Sequence, residues 1–161
     1  MSERSRAAQD LLDDVATRSG LAPATANVAT MLVAAHLAAT LTEFRLADLR
    51  RRIPEFDEVA AEGRAHAAEI ASGRLAAGGG TFTGRLFASV GGLVGGDGGG
   101  PVSRTMVLIG QLGRIGLDVG ALRALGRAMI GHVRGRLGDG YVDTMVARAR
   151  ARIPILGRFL A

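Results

Sequence analysis

The stretch SGLAPATANVATMLVAAHLAATLT, residues 19–42, is the longest run of the chain without Asp, Glu, Lys or Arg. Drawn as a helix, residues 28–41 are apolar on nearly every side. Pro23 stands at the first helical position, where a missing N–H has no cost. The length of the whole stretch is enough to cross a bilayer. Alanine and threonine contribute little to membrane insertion, so we expect instead the central, buried helix of an all-α domain.

The stretch IGLDVGALRALGRAMIGHVRGRL, residues 115–137, repeats the plan of residues 19–42 at a shift of 96 residues. Farther on, residues 47–54 correspond to residues 147–154 at a shift of 100, and both blocks end in Arg-Ile-Pro. Landmarks that recur in one order are the signature of an internal repeat. We therefore predict two pseudo-symmetric three-helix repeats, each ended by a proline. The corresponding pairs include Leu12 and Leu108, Arg18 and Arg114, Gly20 and Gly116, Leu21 and Leu117, His36 and His132, Ile53 and Ile153, and Pro54 and Pro154.

The composition changes twice between the repeats. Residues 55–77 begin with acids and have an arginine near their end, the order that a helix dipole favours, so they predict a polar connecting helix. The following GGGTFTGRLFASVGGLVGGDGGG, residues 78–100, is too rich in glycine for a stable helix and too apolar for a solvated linker. Its apolar side chains are candidate assembly contacts: Phe82, Phe87, Val90 and Leu93.

These boundaries divide the chain into five parts. We predict helical repeat 1 at 5–54, the connecting helix at 55–77, the Gly-rich connection at 78–101, helical repeat 2 at 102–154 and a C-terminal tail at 155–161, with the repeats packed as one domain.

Residues 119–137 predict an amphipathic helix with Asp118 as its N-cap. The apolar stripe has Met129 at its centre, and a guanidinium face lies on the opposite side. This face and the arginines beyond it are the candidate contacts with an anionic surface: Arg123, Arg127, Arg134, Arg148 and Arg152.

Composition excludes several kinds of chemistry. All 20 basic residues are arginine, and cysteine is absent. Disulfides, thiolate metal sites, cysteine nucleophiles, Schiff-base lysines and phosphate-loop lysines are therefore ruled out. The Gly-rich segment lacks the spacing of a nucleotide-binding loop, and no nucleophile-elbow motif occurs. We predict a protein that is not an enzyme and needs no cofactor.

The charge of the chain is uneven. The net charge is +5, yet residues 101–161 contain ten arginines and only three acids. An anionic partner would therefore bind the C-terminal third. Because aromatic residues near the arginines and a recognition-helix motif are both lacking, an anionic membrane surface is favoured over nucleic acid.

Two further sets of residues have a structural and a functional interpretation. His36 and His132, as repeat equivalents, are either half-buried core residues or a pair that shares a metal-binding or pH-sensing site. The four acids after Pro54 fit the start of a helix, and their spacing does not match a calcium loop. They are Glu55, Asp57, Glu58 and Glu62.

The layout resembles the VcgC/VcgE family of short bacterial proteins of unknown function. The matching features are Gly20-Leu21 through Ile53-Pro54, the glycines of 78–100, Gly116-Leu117-Asp118 and RGRLGD at 134–139. The resemblance implies a helical segment, a Gly-rich middle and a second helical segment, and it implies no activity, cofactor or site residue. Members often look exported. The present sequence begins without an export signal, so we predict a cytoplasmic protein, with attachment to a membrane surface as the alternative.

We therefore expect a helical interaction or assembly module that self-associates or joins a larger complex. The first alternative is a peripheral protein that docks on membrane lipid or nucleic acid through its arginine-rich face. A second alternative is a carrier of an apolar small ligand between the repeats.

Overall fold

Helices account for the regular structure in the described part of the chain. The computed structural model describes residues 4–72 and 101–152, and these ranges contain seven α-helices and no strand. The predicted all-α class is therefore confirmed. The helices are α1 (Arg6–Ser19), α2 (Pro23–Thr40), α3 (Glu43–Arg52), α4 (Phe56–Ala71), α5 (Pro101–Arg114), α6 (Val119–Leu137) and α7 (Asp139–Arg152).

Some predicted features lie outside the described residues. They are the candidate assembly contacts Phe82, Phe87, Val90 and Leu93, the predicted helix end at Pro154, and the tail at 155–161.

The helices begin and end where local chemistry predicts. The Ser5 hydroxyl caps the start of α1. Gly20, the residue that follows α1, has the left-handed conformation, with φ of 67°. Pro23 is the first residue of α2. The Asp118 carboxylate accepts a hydrogen bond of 2.7 Å from a backbone N–H in the first turn of α6. α3 ends two residues before Pro54. The termini predicted at Pro23, Asp118 and Pro54 are therefore confirmed.

α2 is the central helix, as its apolar composition predicts. It contacts α1, α4, α5 and α6. Met31 and Leu32 on α2 are each only 2% exposed. Helices of both predicted repeats thus bury their apolar faces against α2.

α4, predicted as a polar connection, packs against α2 more extensively than any other helix. Its buried residues include Val59, Ala60 and Gly63. A Cβ atom at Gly63 would lie 1.9 Å from the carbonyl oxygen of Met31, so the two helix backbones are in direct contact. Only glycine permits this approach. α4 is therefore part of the core as well as a connection.

The helix pairs that contact each other agree in part with the predicted repeat. α1 packs on α6 and α2 packs on α5, which is the crosswise arrangement that a twofold axis would give. The α1–α2 pair bends by 114°, and the corresponding pair, residues 104–114 with α6, bends by 112°. α1 also packs along α2, whereas α5 makes little contact with α6. The two-repeat arrangement therefore stays a prediction.

The buried face of α6 is rotated from the predicted one. Leu125 and Ala128 are 2% and 4% exposed, whereas Met129 is only half-buried. The prediction that Met129 lies at the centre of the buried stripe is wrong, because α1 and α2 cover the side of α6 centred on Leu125 and Ala128.

The described helices also bear on membrane crossing. None of them is by itself long and apolar enough to cross a membrane. The two bent pairs meet that criterion only when their helices are counted together.

Candidate anion-binding groove

The guanidinium face of α6 is exposed, as the sequence predicts. Arg123, Arg127 and Arg134 are all exposed, and so is Arg148 on α7. Arg152 belongs to α7, but its side chain is outside the described part. The predicted set therefore occupies two helices that pack against each other.

An open groove lies between α6 and α7 and includes part of this face. Its volume is about 530 Å³. Two of the predicted arginines line it together with apolar side chains from both helices. The lining residues are Arg127, Ile130, Gly131, Arg134, Asp143, Val146 and Ala147.

The two arginines of the groove differ in their partners. Arg134 Nη2 lies 2.6 Å from the Asp143 carboxylate, and Arg134 Nε lies 3.1 Å from that of Asp139. These pairs neutralise Arg134 and hold its side chain across the start of α7. Arg127 has no ion-pair partner among the residues that the structure describes. The groove therefore has one cationic group available to a ligand.

Gly131 leaves room in the groove next to a third arginine. A Cβ atom at Gly131 would meet only Arg18 Nη1, at an ordinary contact distance of 3.6 Å. Arg18 of α1 is itself bound to the Asp14 carboxylate, with Nε 2.8 Å from each oxygen. α1 thus brings a further guanidinium group close to this side of α6.

Asp14 also contacts His132, which binds α6 to α1. Asp14 Oδ2 lies 2.7 Å from His132 Nδ1, and the His132 side chain is 10% exposed. Because a carboxylate only accepts hydrogen bonds, Nδ1 carries the proton. Burial raises the pKa of Asp14, but the hydrogen bonds from His132 and Arg18 outweigh it and lower that pKa below its ordinary value.

His36 has a different partner on the other side of the fold. Its Nε2 lies 3.3 Å from the hydroxyl of Thr105 on α5. Burial lowers the pKa of His36, and the charge of Arg104 lowers it further. His36 on α2, the second helix of predicted repeat 1, thus contacts α5, the first helix of predicted repeat 2. His132 on α6, the second helix of repeat 2, contacts α1, the first helix of repeat 1.

These contacts bear on the predicted paired histidine site. His36 and His132 bind separate partners, Thr105 and Asp14. Within the described residues, no group of three or more histidines and acids could hold a metal ion. The geometry thus favours the interpretation of both as half-buried packing residues.

The four acids after Pro54 have a role that their position at a helix start does not predict. Glu58 accepts hydrogen bonds from the backbone N–H and the hydroxyl of Ser5, at 2.7 and 2.5 Å. Glu62 binds the Arg4 guanidinium through both carboxylate oxygens, at 3.0 and 2.5 Å. The start of α4 therefore holds the start of α1.

The other two acids of this set bind arginines elsewhere. Asp57 pairs with Arg50 of α3 at 2.9 Å. Glu55, whose side chain is 2% exposed, lies 3.0 Å from Arg136 Nη2 of α6. All four carboxylates thus join separate segments of the fold. Except for Asp57, whose partner is seven residues away, the partners are distant along the chain, so the sequence offers no signal for these pairs.

A further contact joins α3 to α7. The Tyr141 hydroxyl donates to Asp48 at 2.7 Å, and the Arg52 guanidinium lies over the Tyr141 ring, 5.0 Å from its centroid. Hydrogen bonds from Tyr141 and Arg51 lower the pKa of Asp48 to about 2. The N-terminal end of α7 is therefore held against the C-terminal end of α3.

The groove between α6 and α7 is suited to binding an anion. Guanidinium groups stay protonated at all physiological pH values, so they serve as hydrogen-bond donors and not as bases. The one carboxylate in the lining, Asp143, is paired with Arg134.

No protein-family model, curated protein or solved structure matches the chain. The resemblance to the VcgC/VcgE family therefore stays a prediction.

Proposed function

We propose that the chain is a non-enzymatic helical interaction module whose recognition surface is the groove between α6 and α7. The observation that carries the proposal is the combination of Arg127, which has no described ion-pair partner, with the apolar walls formed by Ile130 and Val146. Apolar contact area supplies affinity, and a cation at its edge selects the partner by charge. A partner protein or a second copy of the chain would bind through this surface.

Site-specific photo-crosslinking tests the proposal. A photoreactive phenylalanine analogue replaces Ala147, an exposed residue that lines the groove, in the full-length protein within its native cells. The control carries the same analogue at Ala7, which is exposed on α1 and away from the groove. We expect a discrete adduct with Ala147 and none with Ala7.

The mass of the adduct separates the forms of the proposal. A product of twice the chain mass identifies self-association, and any other discrete mass identifies a different protein. If the folded Ala147 variant forms no adduct, or the Ala7 variant forms the same one, the groove is not the recognition surface.

Docking on an anionic surface is the second candidate. Two observations favour it: Arg127 and Arg148 are exposed with no ion-pair partner among the described residues, and the C-terminal third of the chain is strongly basic. Against it, Arg134 is already neutralised by Asp139 and Asp143. Binding to anionic vesicles or to DNA that falls steeply as salt rises would support this candidate.

The carrier of an apolar small ligand receives little support from the cavities. The α6–α7 groove contains charged residues, and a second cleft of about 320 Å³ at the α1–α2 turn is lined in part by Asp13 and Thr17. Carrier sites are usually enclosed and mostly apolar.

A further inference from the structure

We infer that the occupant of the α6–α7 groove is an amphipathic helix of a protein partner, with a carboxylate at the edge of its apolar face. The inference rests on the proposed function, because it names the kind of partner that the groove would accept. Three features of the groove support the inference. The backbone groups of its helical walls are already hydrogen-bonded, its available charge is positive, and Gly131 leaves free space in it.

The walls of the groove favour a helix over an extended peptide. Both walls are α-helices, whose interior backbone N–H and C=O groups are bonded within the helix. An extended segment laid in such a groove would find few backbone partners, and its own N–H and C=O groups would lose water without replacement. A helix satisfies its backbone internally and can place an apolar face against Ile130 and Val146.

The length of the groove sets how much of a helix it can accept. The lining residues of α6 run from Arg127 to Arg134, seven residues apart, which is about 10 Å along a helix axis. Two turns of a partner helix match this length. The partner would therefore contribute apolar residues at positions such as i, i+3, i+4 and i+7.

The charges of the groove place the carboxylate of the partner near one end. Asp143 and Asp139 both pair with Arg134, so two carboxylates face one guanidinium and that end of the groove has no positive charge to spare. Arg127 at the other end has no described ion-pair partner. An acidic residue that flanks the apolar face of the partner would pair with Arg127, whereas a lysine there would be repelled.

Gly131 provides the room between these two ends. The fold itself does not require glycine there, because an added Cβ atom would meet only the flexible end of Arg18. Because Gly131 lines the groove, a larger side chain at this position should take up room there and displace no more than the Arg18 guanidinium. This gives a variant that tests the space of the groove independently of its charge.

The experiment uses fluorescence anisotropy with two labelled synthetic peptides and the full-length protein. Both are Leu/Ala amphipathic helices of about 15 residues, and they differ only in carrying Glu or Lys beside the apolar face. We expect the Glu peptide to bind and the Lys peptide to bind at least tenfold more weakly. Arg127→Gln should weaken binding of the Glu peptide about threefold to fivefold, the effect of one exposed charge pair. Gly131→Leu should abolish it.

The controls separate this inference from the proposed function. Arg64→Gln removes an exposed charge from α4, outside the groove, and should leave binding unchanged. Circular dichroism of each variant establishes that it is folded, and Gly131→Met, with a more flexible side chain of similar volume, serves if Gly131→Leu is not. Equal binding of the two peptides, or full binding by a folded Gly131 variant, would overturn the inference. If Ala147 forms adducts in cells but neither peptide binds, the inference is overturned and the proposed function stands. If Ala147 forms no adduct and neither peptide binds, the inference and the proposed function are both overturned.

Two outcomes would point to a different occupant. Binding to phosphatidylglycerol vesicles that Arg127→Gln weakens and Gly131→Leu leaves unchanged would overturn the inference in favour of a lipid surface. The same pattern with duplex DNA would overturn it in favour of nucleic acid.

Discussion

Leu125 and Met129 are one turn apart on α6, and their different burial makes a prediction about stability. Leu125→Ala removes a side chain that is 2% exposed, so it should cost about 2–5 kcal/mol in the free energy of unfolding. Met129→Ala, at a half-buried position, should cost less than Leu125→Ala. Arg127→Gln on the exposed face should stay within about 0.5 kcal/mol. Chemical denaturation of the three variants measures these costs. A larger loss of stability for Met129→Ala than for Leu125→Ala would show that the buried face of α6 is centred on Met129.

His36 should make stability depend on pH between neutrality and mild acid. Burial lowers its pKa in the folded protein, so the unfolded chain binds a proton more readily than the folded chain does. The stabilisation is therefore complete above the ordinary pKa of 6.5 and is lost as the pH falls below it. His36→Gln removes this titration, and we expect its free energy of unfolding to fall less than that of the wild type between pH 7 and pH 5.

The comparison isolates His36 because the other titrating groups are the same in both proteins. Denaturation curves at pH 7, 6 and 5 supply the measurement. If the two proteins lose stability in parallel, the burial of His36 has no effect on its titration.

At the scale of elements, the contact between α2 and α4 depends on one missing side chain. A Cβ atom at Gly63 would lie 1.9 Å from the Met31 carbonyl oxygen, so Gly63→Ala must push the two helices apart. We expect a loss of several kcal/mol, because the buried faces of both helices would separate. Thermal or chemical denaturation reports the change.

Gly135 is the matched control for Gly63. It lies within α6, and an added Cβ atom there would meet nothing within 4 Å. Gly135→Ala should therefore stabilise the protein by up to about 1 kcal/mol, the difference in helix propensity. Equal effects at the two positions would show that helix propensity, and not the contact between α2 and α4, decides the cost.

The ends of elements could be predicted from sequence, whereas the contacts between them could not. Pro23 and Asp118 mark helix starts because they act on backbone groups within one turn. The close approach at Gly63 depends on Met31, which is distant along the chain and carries no local signal. Likewise, hydrophobic periodicity predicts roughly which face of α6 is buried. That this face is centred on Leu125 and not on Met129 follows from how α1 and α2 cover the helix.

At the scale of the molecule, an ion pair between a buried carboxylate and a partly exposed arginine joins the two halves of the described chain. Glu55, at the start of α4, lies 3.0 Å from Arg136 near the end of α6, and its side chain is 2% exposed. Glu55→Gln removes the charge and keeps the shape, so it should cost about 1–3 kcal/mol. Asp57→Asn breaks an exposed pair with Arg50 and should cost less than about 1 kcal/mol. Urea denaturation compares the two, and equal costs would mean that burial adds nothing to the Glu55 pair.

The candidate groove could be predicted only in part. The amphipathic pattern of α6 places Arg123, Arg127 and Arg134 on one exposed face, and the structure agrees. The pairing of Arg134 with Asp143 and the apolar wall of Val146 depend on how α7 folds back on α6, which periodicity within one helix does not determine.

The crosswise packing of α1 on α6 and α2 on α5 has a consequence for how copies of the chain could associate. Every contact between the two halves would survive if α1–α4 came from one molecule and α5–α7 from another. Two chains could therefore exchange halves and form a domain-swapped dimer with the same cores as two monomers. Such a dimer would form when both chains refold together at high concentration, and it would persist after dilution for as long as the halves take to unfold.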